Sequence, residues 1–504
     1  MRRARLSISA LLLAASFALA LSPMANNDLW WHLGTGRWML EHHRLPVEDP
    51  FSFTHFMQPW HDVEWLSEIA MFGVWTAAGD AGLVLVAALL LALVFGLVRS
   101  LARLTTESEL LAAGLMVVAV LMSRYWWAPR PTLASDVCAL LTLVLIEHAR
   151  RGGARRVIWA VPVVAALWAN LHGGFVLAPV IVGTVAGAAG LASLFPGLAA
   201  EGFNPKARTR LIVIALIVPV ALLVNANGTT VLAQSVQMFG ASKYRFVLDE
   251  WTWPDLRFVL TAWSVTAAIL IGARCPRRLS TVALGLGLTA LSTSAHRFEL
   301  YYGLLVLPIL GEYVIERTPL SIALLLAAAP LTLIPGMPVF VPPLVALGSL
   351  LTDRVGTVRS RPFVAWPSFK FSPPQALALI AILALLVAGT RRDRLRMNLD
   401  HYPVAAIEAL QAGHAERVFN LYSWGGWLLW TTDLPTFIDG RSWGGGNFAD
   451  YVEAQGGRYE DVFLRHDVRW TLLPPAAMAN QLLASDPAWE RMYSDEKAVV
   501  FRRR

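Results

Sequence analysis

AGLVLVAALLLALVFGLVRSLARL, residues 81–104, decides the architecture of this chain. It carries no charge before Arg99, and a helix needs about 17–25 such residues to cross the hydrocarbon core of a bilayer. A helix is also what lipid demands, because lipid offers nothing to loose backbone groups. Similar runs recur near 6–25, 109–123, 132–148, 156–170, 174–196, 210–226, 257–273, 279–294, 298–315, 319–335, 338–352 and 374–390. Together they predict a mainly helical transmembrane bundle of about thirteen spans, with 318–352 open to reading as one broken hairpin. Composition agrees: 56% of the 504 residues are hydrophobic and 15% are charged, against about 25% charged in a soluble domain. The net charge of +7 fits short basic loops and needs no nucleic acid to explain it. Two cysteines, Cys138 in an apolar run and Cys275 in a basic loop, give neither a disulfide framework nor a thiolate metal cluster.

The opening MRRARLSISALLLAASFALALSPMA joins a basic head to an apolar run and small residues. It reads as a first span or as a cleavable signal peptide, and either delivers the next loop to the outer face of a bacterial inner membrane. Arg2, Arg3 and Arg5 place the N-terminus in the cytoplasm. Counting alternately, Arg99 and Arg103, Arg150, Arg151, Arg155 and Arg156, Lys206, Arg208 and Arg210, Arg274, Arg277 and Arg278, Arg317, and Arg354, Arg359 and Arg361 all fall inside as well. RRDRLR, 391–396, is the exception. It argues against the last crossing or forms a basic patch facing anionic lipid or substrate.

Residues 1–396 are thus expected to form the membrane domain, and 397–504 a small outer α/β domain. In the latter, RVFNLYSWGGWLLW, PTFIDGR, VRWTLLPP and KAVVFRRR read as strands, while DYVEAQGGRYEDVFLRHD and AAMANQLLASD read as helices. No internal repeat or low-complexity tract is visible.

Inner loops are short and merely basic, whereas outer loops are long and hold acids, histidines, tryptophans and arginines; long loops carry function. The first, 26–80, begins NNDLWWHLGTGRWMLEHH. On a helix Asp28 and His32 share one face. Pro46 and Pro50 then hold Asp49 in a turn, and PWHDVEWLSE brings His61, Asp62, Glu64 and Glu68 on a second helix. Such carboxylates suit a general base whose pKa burial raises, or a divalent cation bound through oxygen. An interfacial hairpin with belt tryptophans and a capping aspartate fits the same residues equally well.

Further outer groups point to an anion. Arg124 and Arg130 in SRYWWAPRPTLAS run against the inside-positive pattern and suit a lipid-linked phosphate or pyrophosphate, or else an acid of the first loop. WANLHGGF places Asn170 and His172 at a helix end, where a structural histidine is the commoner outcome. The stretch 225–255 adds Lys243, Arg245, Asp249 and Glu250, and STSAHRFELYY adds His296 and Arg297 as anion ligands or interface charges. Asp439 and Arg441 of FIDGR read first as a structural salt bridge. No Walker loop, dinucleotide fingerprint, HExxH or nucleophile elbow occurs in a supporting context. An outer-face enzyme of this kind needs an activated donor delivered in the membrane.

DLWWHLGTGRWM, LPVEDPFSFT, PWHDVEWLSE, WANLHGGF, YSWGGWLLW and FIDGR resemble a group of bacterial polytopic proteins assigned to the GT-C glycosyltransferase superfamily. Oligosaccharyltransferase catalytic subunits, protein O-mannosyltransferases and aminoarabinose transferases belong to that superfamily. The resemblance implies sugar transfer from a polyprenyl-phosphate donor, with a first-loop acid as base or metal group. Asp28 matches that acid best, with Asp49 and Glu64 as further catalytic candidates. His32, Arg124, Arg130, Asn170, His172, Glu250 and Arg297 then become candidates for binding substrate. Val63 stands where the group often has His, and His43 where it has Gly, so a complete metal site is not implied. YSWGGW lacks the aspartate of the WWDYG-type signature, which argues against a peptide acceptor.

Two other readings compete. A transporter or flippase of lipid-linked glycans needs charge near mid-span, where Asp136 is the nearest instance. An envelope scaffold would be indifferent to mutation of the first-loop acids.

Overall fold

The computed structural model describes residues 12–106, 108–152, 156–195, 198, 201–230, 249–273, 277–313, 389, 394–441 and 446–504. After a helical segment at 12–20 come α1 (Leu29–His42), α2 (Trp65–Thr106), α3 (Glu109–Ser123), α4 (Thr132–Arg150), α5 (Ala160–Leu171) and α6 (Leu177–Leu194). They are followed by α7 (Pro205–Ala221), α8 (Leu256–Gly272), α9 (Leu279–Ser292), a π-helical turn at Tyr302–Val306 and α10 (Leu307–Leu310). The expected spans 319–335, 338–352 and 374–390 lie outside the described residues, apart from the isolated residue 389.

Local signals set several boundaries. Ser108 accepts the Leu111 N–H at 3.2 Å to start α3, and Asn204, followed by Pro205, accepts the Ala207 N–H at 2.9 Å to start α7. Among the described residues three helices are long and apolar enough to cross a membrane: Trp65–Thr106, Thr132–Arg150 and Gly173–Leu194. Others are apolar but shorter, including Val157–Leu171 and Leu256–Ile271. Outward-facing Val163, Leu167, Val180, Leu216, Val220 and Ile271 are exposed, which suits lipid far better than water.

α2 corrects the expected loop boundary. The predicted span 81–104 is the latter part of a 42-residue helix, which begins within PWHDVEWLSE, where a helix was expected, and runs on through 69–80 without an intervening loop. At 1.5 Å per residue this helix is about twice the length of the hydrocarbon core. Gly79 (φ 58°, ψ −152°) breaks it, separating a short first part that carries Glu68 from the longer apolar remainder. PWHDVEWLSE is therefore only half helix: Asp62 and Glu64 precede Trp65. Gly36 lets α1 pack on that first part, since a Cβ there would overlap the Glu68 carbonyl.

Beyond residue 397 the chain forms α11 (Val404–Ala412), α12 (Gly425–Thr432), α13 (Gly446–Gln455), α14 (Tyr459–Arg465) and α15 (Met478–Leu483) around four strands. These are β1 (Val418–Asn420), β2 (Trp470–Leu473), β3 (Trp489–Ser494) and β4 (Val499–Arg503), in sheet order β1-β2-β4-β3. The β1–β2 pair is parallel and the others antiparallel. Only the first residues of RVFNLYSWGGWLLW are extended; Gly425–Thr432 is a helix, because its apolar residues must face two cores at once. DYVEAQGGRYEDVFLRHD falls on two helices, split at Gly456 and Gly457, where Gly457 takes φ +94°. PTFIDGR contributes isolated bridges instead of a strand: Thr436 pairs with Val418 of β1 on one side and with Ser52 of the first loop on the other. Thr436 N–H donates to the Phe51 carbonyl (2.9 Å) and Phe53 N–H to the Thr436 carbonyl (3.1 Å). The first loop is thereby stitched to the edge of the C-terminal sheet.

Trp30 and Trp31 are not interface belt residues, as the sequence suggested, but are buried. Trp30 packs edge-on against Trp427 (4.6 Å) and Tyr402 (5.9 Å), while Trp31 joins Phe51 and Leu429.

Candidate active site

Asp28 occupies the N-cap position of α1 without capping it. Its side chain is turned to other partners: Oδ1 accepts the Trp31 indole N–H at 3.3 Å, and Oδ2 lies 3.2 Å from Arg130. Arg130 also reaches Glu250 at 3.3 Å. Arg297 faces the same carboxylate at 3.6 Å and lies 4.8 Å over the Trp251 ring. Asp28, Arg130, Glu250 and Arg297 thus form a row of alternating charge contributed by four separate segments. Burial raises the Asp28 carboxyl above its ordinary range, against the pull of Arg130. For Glu250 burial also pushes upward, but the charges of Arg130 and Arg297 outweigh it and the carboxyl titrates low.

Asp28 and His32 start from one helical face but serve different clusters. His32 Nδ1 lies 2.8 Å from Glu68 Oε1 and 3.6 Å from Glu64 Oε2. Glu64 Oε1 in turn lies 3.3 Å from His172 Nε2. His172 Nδ1 accepts the Gly174 N–H at 3.0 Å and sits 2.6 Å from Ser135 Oγ, which accepts the Trp168 indole N–H at 2.7 Å. With Nδ1 accepting, the proton of the neutral ring belongs on Nε2, aimed at Glu64. Burial, followed by the Arg297 and Arg130 charges, lowers His172 to about 3, so it is neutral. Burial, then the charges of Asp62 and Asp28, raises Glu64 to about 8. His32, Glu64 and Glu68 each offer one metal-ligand atom, all within 4.8 Å of one another.

Asp49 belongs to a third arrangement and does not join Asp28. Arg441 lies 2.7 Å from it and bonds Asp439 through Nε and Nη2, its guanidinium packed over Phe51 (4.6 Å) and Trp60 (5.2 Å). Ser52 Oγ and the Phe51 N–H also donate to Asp49. Burial would raise the Asp49 carboxyl, yet the Arg441 charge and these hydrogen bonds bring it below its ordinary value. The Asp439–Arg441 pair expected from FIDGR is present, with an unforeseen third member 392 residues from Arg441.

Between Asp439 and Arg441, Gly440 passes so close to the first cluster that a Cβ would lie 2.5 Å from both Asp28 Oδ1 and Trp31 Nε1. Gly440→Ala should therefore displace Asp28 without altering a single charge. The expected result is at least a tenfold loss of any activity that depends on Asp28, with the protein still folded by tryptophan fluorescence. Unchanged activity would show that the Asp28 carboxylate is not held where it is needed.

The remaining candidates separate from these clusters. Arg124 is exposed and lies 4.7 Å over Trp127. Asn170 accepts the Trp65 indole N–H (3.1 Å) and donates to the Ala166 and Val224 carbonyls (both 2.8 Å), all structural bonds. His296 Nδ1 lies 3.0 Å from Glu299, and Lys243 and Arg245 lie outside the described residues. Sequence reasoning named Glu68 only as one of the first-loop carboxylates and missed Gly440, for which the small residue inside FIDGR was the available signal.

Solved structures share this fold. The Archaeoglobus fulgidus oligosaccharyltransferase, crystallised tethered to an acceptor peptide containing an NVT sequon, aligns at a TM-score of 0.56 with 14% identity, over 93% of this chain and 69% of that one. Its apo form aligns at 0.51 with 13% identity, over 94% and 69%. ArnT from Cupriavidus metallidurans bound to undecaprenyl phosphate gives a TM-score of 0.45 with 13% identity, over 99% and 97%. These structural neighbours are GT-C glycosyltransferases. No protein-family model and no curated relative matches the sequence.

Proposed function

We propose that this protein is a multi-pass inner-membrane glycosyltransferase moving a sugar from a polyprenyl-phosphate donor to an acceptor hydroxyl on the outer face. The observation that carries this reading is the Asp28–Arg130–Glu250–Arg297 row, set in a fold shared with an oligosaccharyltransferase. In such a reaction the bond between the sugar's anomeric carbon and the phosphate oxygen breaks, its electron pair leaving with the lipid phosphate. The acceptor oxygen bonds to that carbon and its proton goes to a base.

Asp28 is the base in this account. A carboxyl raised by burial is a better proton acceptor than an exposed one, and the Trp31 and Arg130 contacts fix its orientation. Arg130 and Arg297 hold the donor phosphate, displacing Glu250, since guanidinium pairs bidentately with phosphate. Leaving-group charge then develops beside two cations already in place. The basic-loop pattern, which favours a cytoplasmic N-terminus, supports locating this row at the outer membrane surface.

The test uses the purified full chain in lipid nanodiscs, with radiolabelled polyprenyl-phosphate sugars of several kinds and an envelope extract as acceptor source. Label leaving the lipid fraction and appearing in an acceptor supports transfer. Label that only crosses the bilayer of proteoliposomes, still attached to lipid, would replace this reading with transport.

A further inference from the structure

Below the charged row, two buried polar groups have nothing to bind. Asp136 opens the second turn of α4, and Tyr301 directly precedes the π-helical turn, which packs against α4. Both residues are 7% exposed. Among the described residues neither the carboxyl nor the phenol hydroxyl has a hydrogen-bond or ion-pair partner, yet their oxygens still touch open space. Arg130 precedes Asp136 and Arg297 precedes Tyr301, so the segments that supply the row's cations carry this pair deeper into the bundle. At 1.5 Å per residue, Asp136 lies about 6 Å beyond the start of α4. The Arg130 charge reaches both groups, and the Asp136 charge reaches the phenol. An aromatic wall leads down to them. Arg297 lies over Trp251 (4.8 Å) and Phe298 (5.9 Å), and Phe298 stacks on Tyr301 at 6.0 Å.

Leaving a buried carboxyl unpartnered is costly, and packing gives no reason to keep one in a membrane span. Such acids face the bundle interior and mark what passes or binds there. The π-helical turn beside Tyr301 is a form that recurs at functional sites. We propose that Asp136 and Tyr301 form the subsite for the sugar ring of the lipid-linked donor, and that the ring they select presents adjacent free hydroxyls. Each ring hydroxyl donates one hydrogen bond and accepts others, so a neighbouring pair matches a carboxyl beside a phenol. Half-buried Trp251 and Phe298 offer apolar surface to the C–H face of the ring. A sugar lacking those hydroxyls would leave the carboxyl unpaired, and the site rejects it. This inference rests on the reading of Arg130 and Arg297 as ligands of the donor phosphate, to which the sugar is joined.

Competition binding decides it. The full chain in nanodiscs is loaded with radiolabelled polyprenyl phosphate, then challenged with the unlabelled lipid or with its glucosyl, galactosyl, mannosyl or N-acetylglucosaminyl form. In the wild type at least one sugar form should displace the label at about tenfold lower concentration than the bare lipid does. Removing an adjacent pair of hydroxyls from that sugar should abolish the advantage. Asp136→Leu should also abolish it, and Tyr301→Phe should cut it about threefold. Asp136→Leu should melt no lower than the wild type, since it removes an unpaired buried acid; an acid with a structural role would give the opposite. Should Asp136→Leu fail to fold, Tyr301→Phe, which loses only the hydroxyl, decides alone. A wild type that binds no bare lipid overturns the phosphate reading and this inference with it. A wild type that binds the bare lipid and favours none of its sugar forms overturns the sugar subsite alone. So does an advantage that survives in both variants.

Discussion

Asp28→Ala is expected to lower the turnover of sugar transfer by about 10²- to 10⁴-fold, the range that removal of a positioned general base produces. The substitution leaves Arg130 paired with Glu250, so the row does not collapse and donor binding should persist. The signature is a fall in kcat with KM changed little, because the proton is transferred only in the transition state. Trp31 loses the acceptor of its indole N–H, a loss of about 1 kcal/mol that the aromatic packing with Phe51 and Leu429 can absorb. Steady-state kinetics at matched protein levels check this. Full activity in Asp28→Ala would remove the carboxylate from the reaction.

Arg441→Ala should have the largest effect on stability. The Arg441 side chain is 3% exposed and neutralises Asp49 and Asp439, whose side chains are 11% and 0% exposed. Removing one partner of a buried ionic group leaves uncompensated charge, with a loss of about 3–5 kcal/mol. Here the loss falls on the join between the first loop and the C-terminal strands, since Asp49 belongs to one and Asp439 to the other. Limited proteolysis should therefore release the segment after residue 397 far faster in Arg441→Ala than in wild type. Arg441→Lys should recover little, because an ammonium cannot reproduce a fork between two carboxylates and also lie flat over Phe51 and Trp60. A variant as resistant as wild type would mean that the triad does not hold the two parts together.

The helices were legible because lipid-scale apolar runs leave one solution, and the edges of α3, α4, α6 and α9 fall within a few residues of the predicted spans. Residues 69–80 read as part of the first outer loop because the 14 residues before Gly79 are too few to span a bilayer, although in the structure they continue the helix that packs on α1. YSWGGWLLW was misread as strand for a related reason: a short apolar run does not distinguish a strand from a helix buried on several sides. The strand Trp489–Ser494 went unseen because its burial follows no alternation.

Within the site, the sequence pointed to Asp28, Arg130, Glu250 and Arg297 one by one, through charge in outer loops. It offered an acid of the first loop as one alternative partner for Arg130, which the structure bears out, but could not name Asp28 among those acids across a separation of 102 residues. The same limit hid the partner of Asp49, and it explains why Asp28 and His32, four residues apart, were assigned to a single cluster. Side-chain direction, not spacing, sends Asp28 to an arginine and His32 to two glutamates.

The central claim is that Arg130 and Arg297 hold a lipid-linked phosphate next to Asp28. A structure of the full chain in nanodiscs, determined by electron cryomicroscopy with polyprenyl phosphate bound, tests this most directly. The account predicts phosphate oxygens within hydrogen-bonding distance of both guanidiniums, with Glu250 displaced and the Asp28 carboxylate facing the open side of the phosphate. A phosphate bound elsewhere, with Arg130 still closed on Asp28 and Glu250, would contradict it.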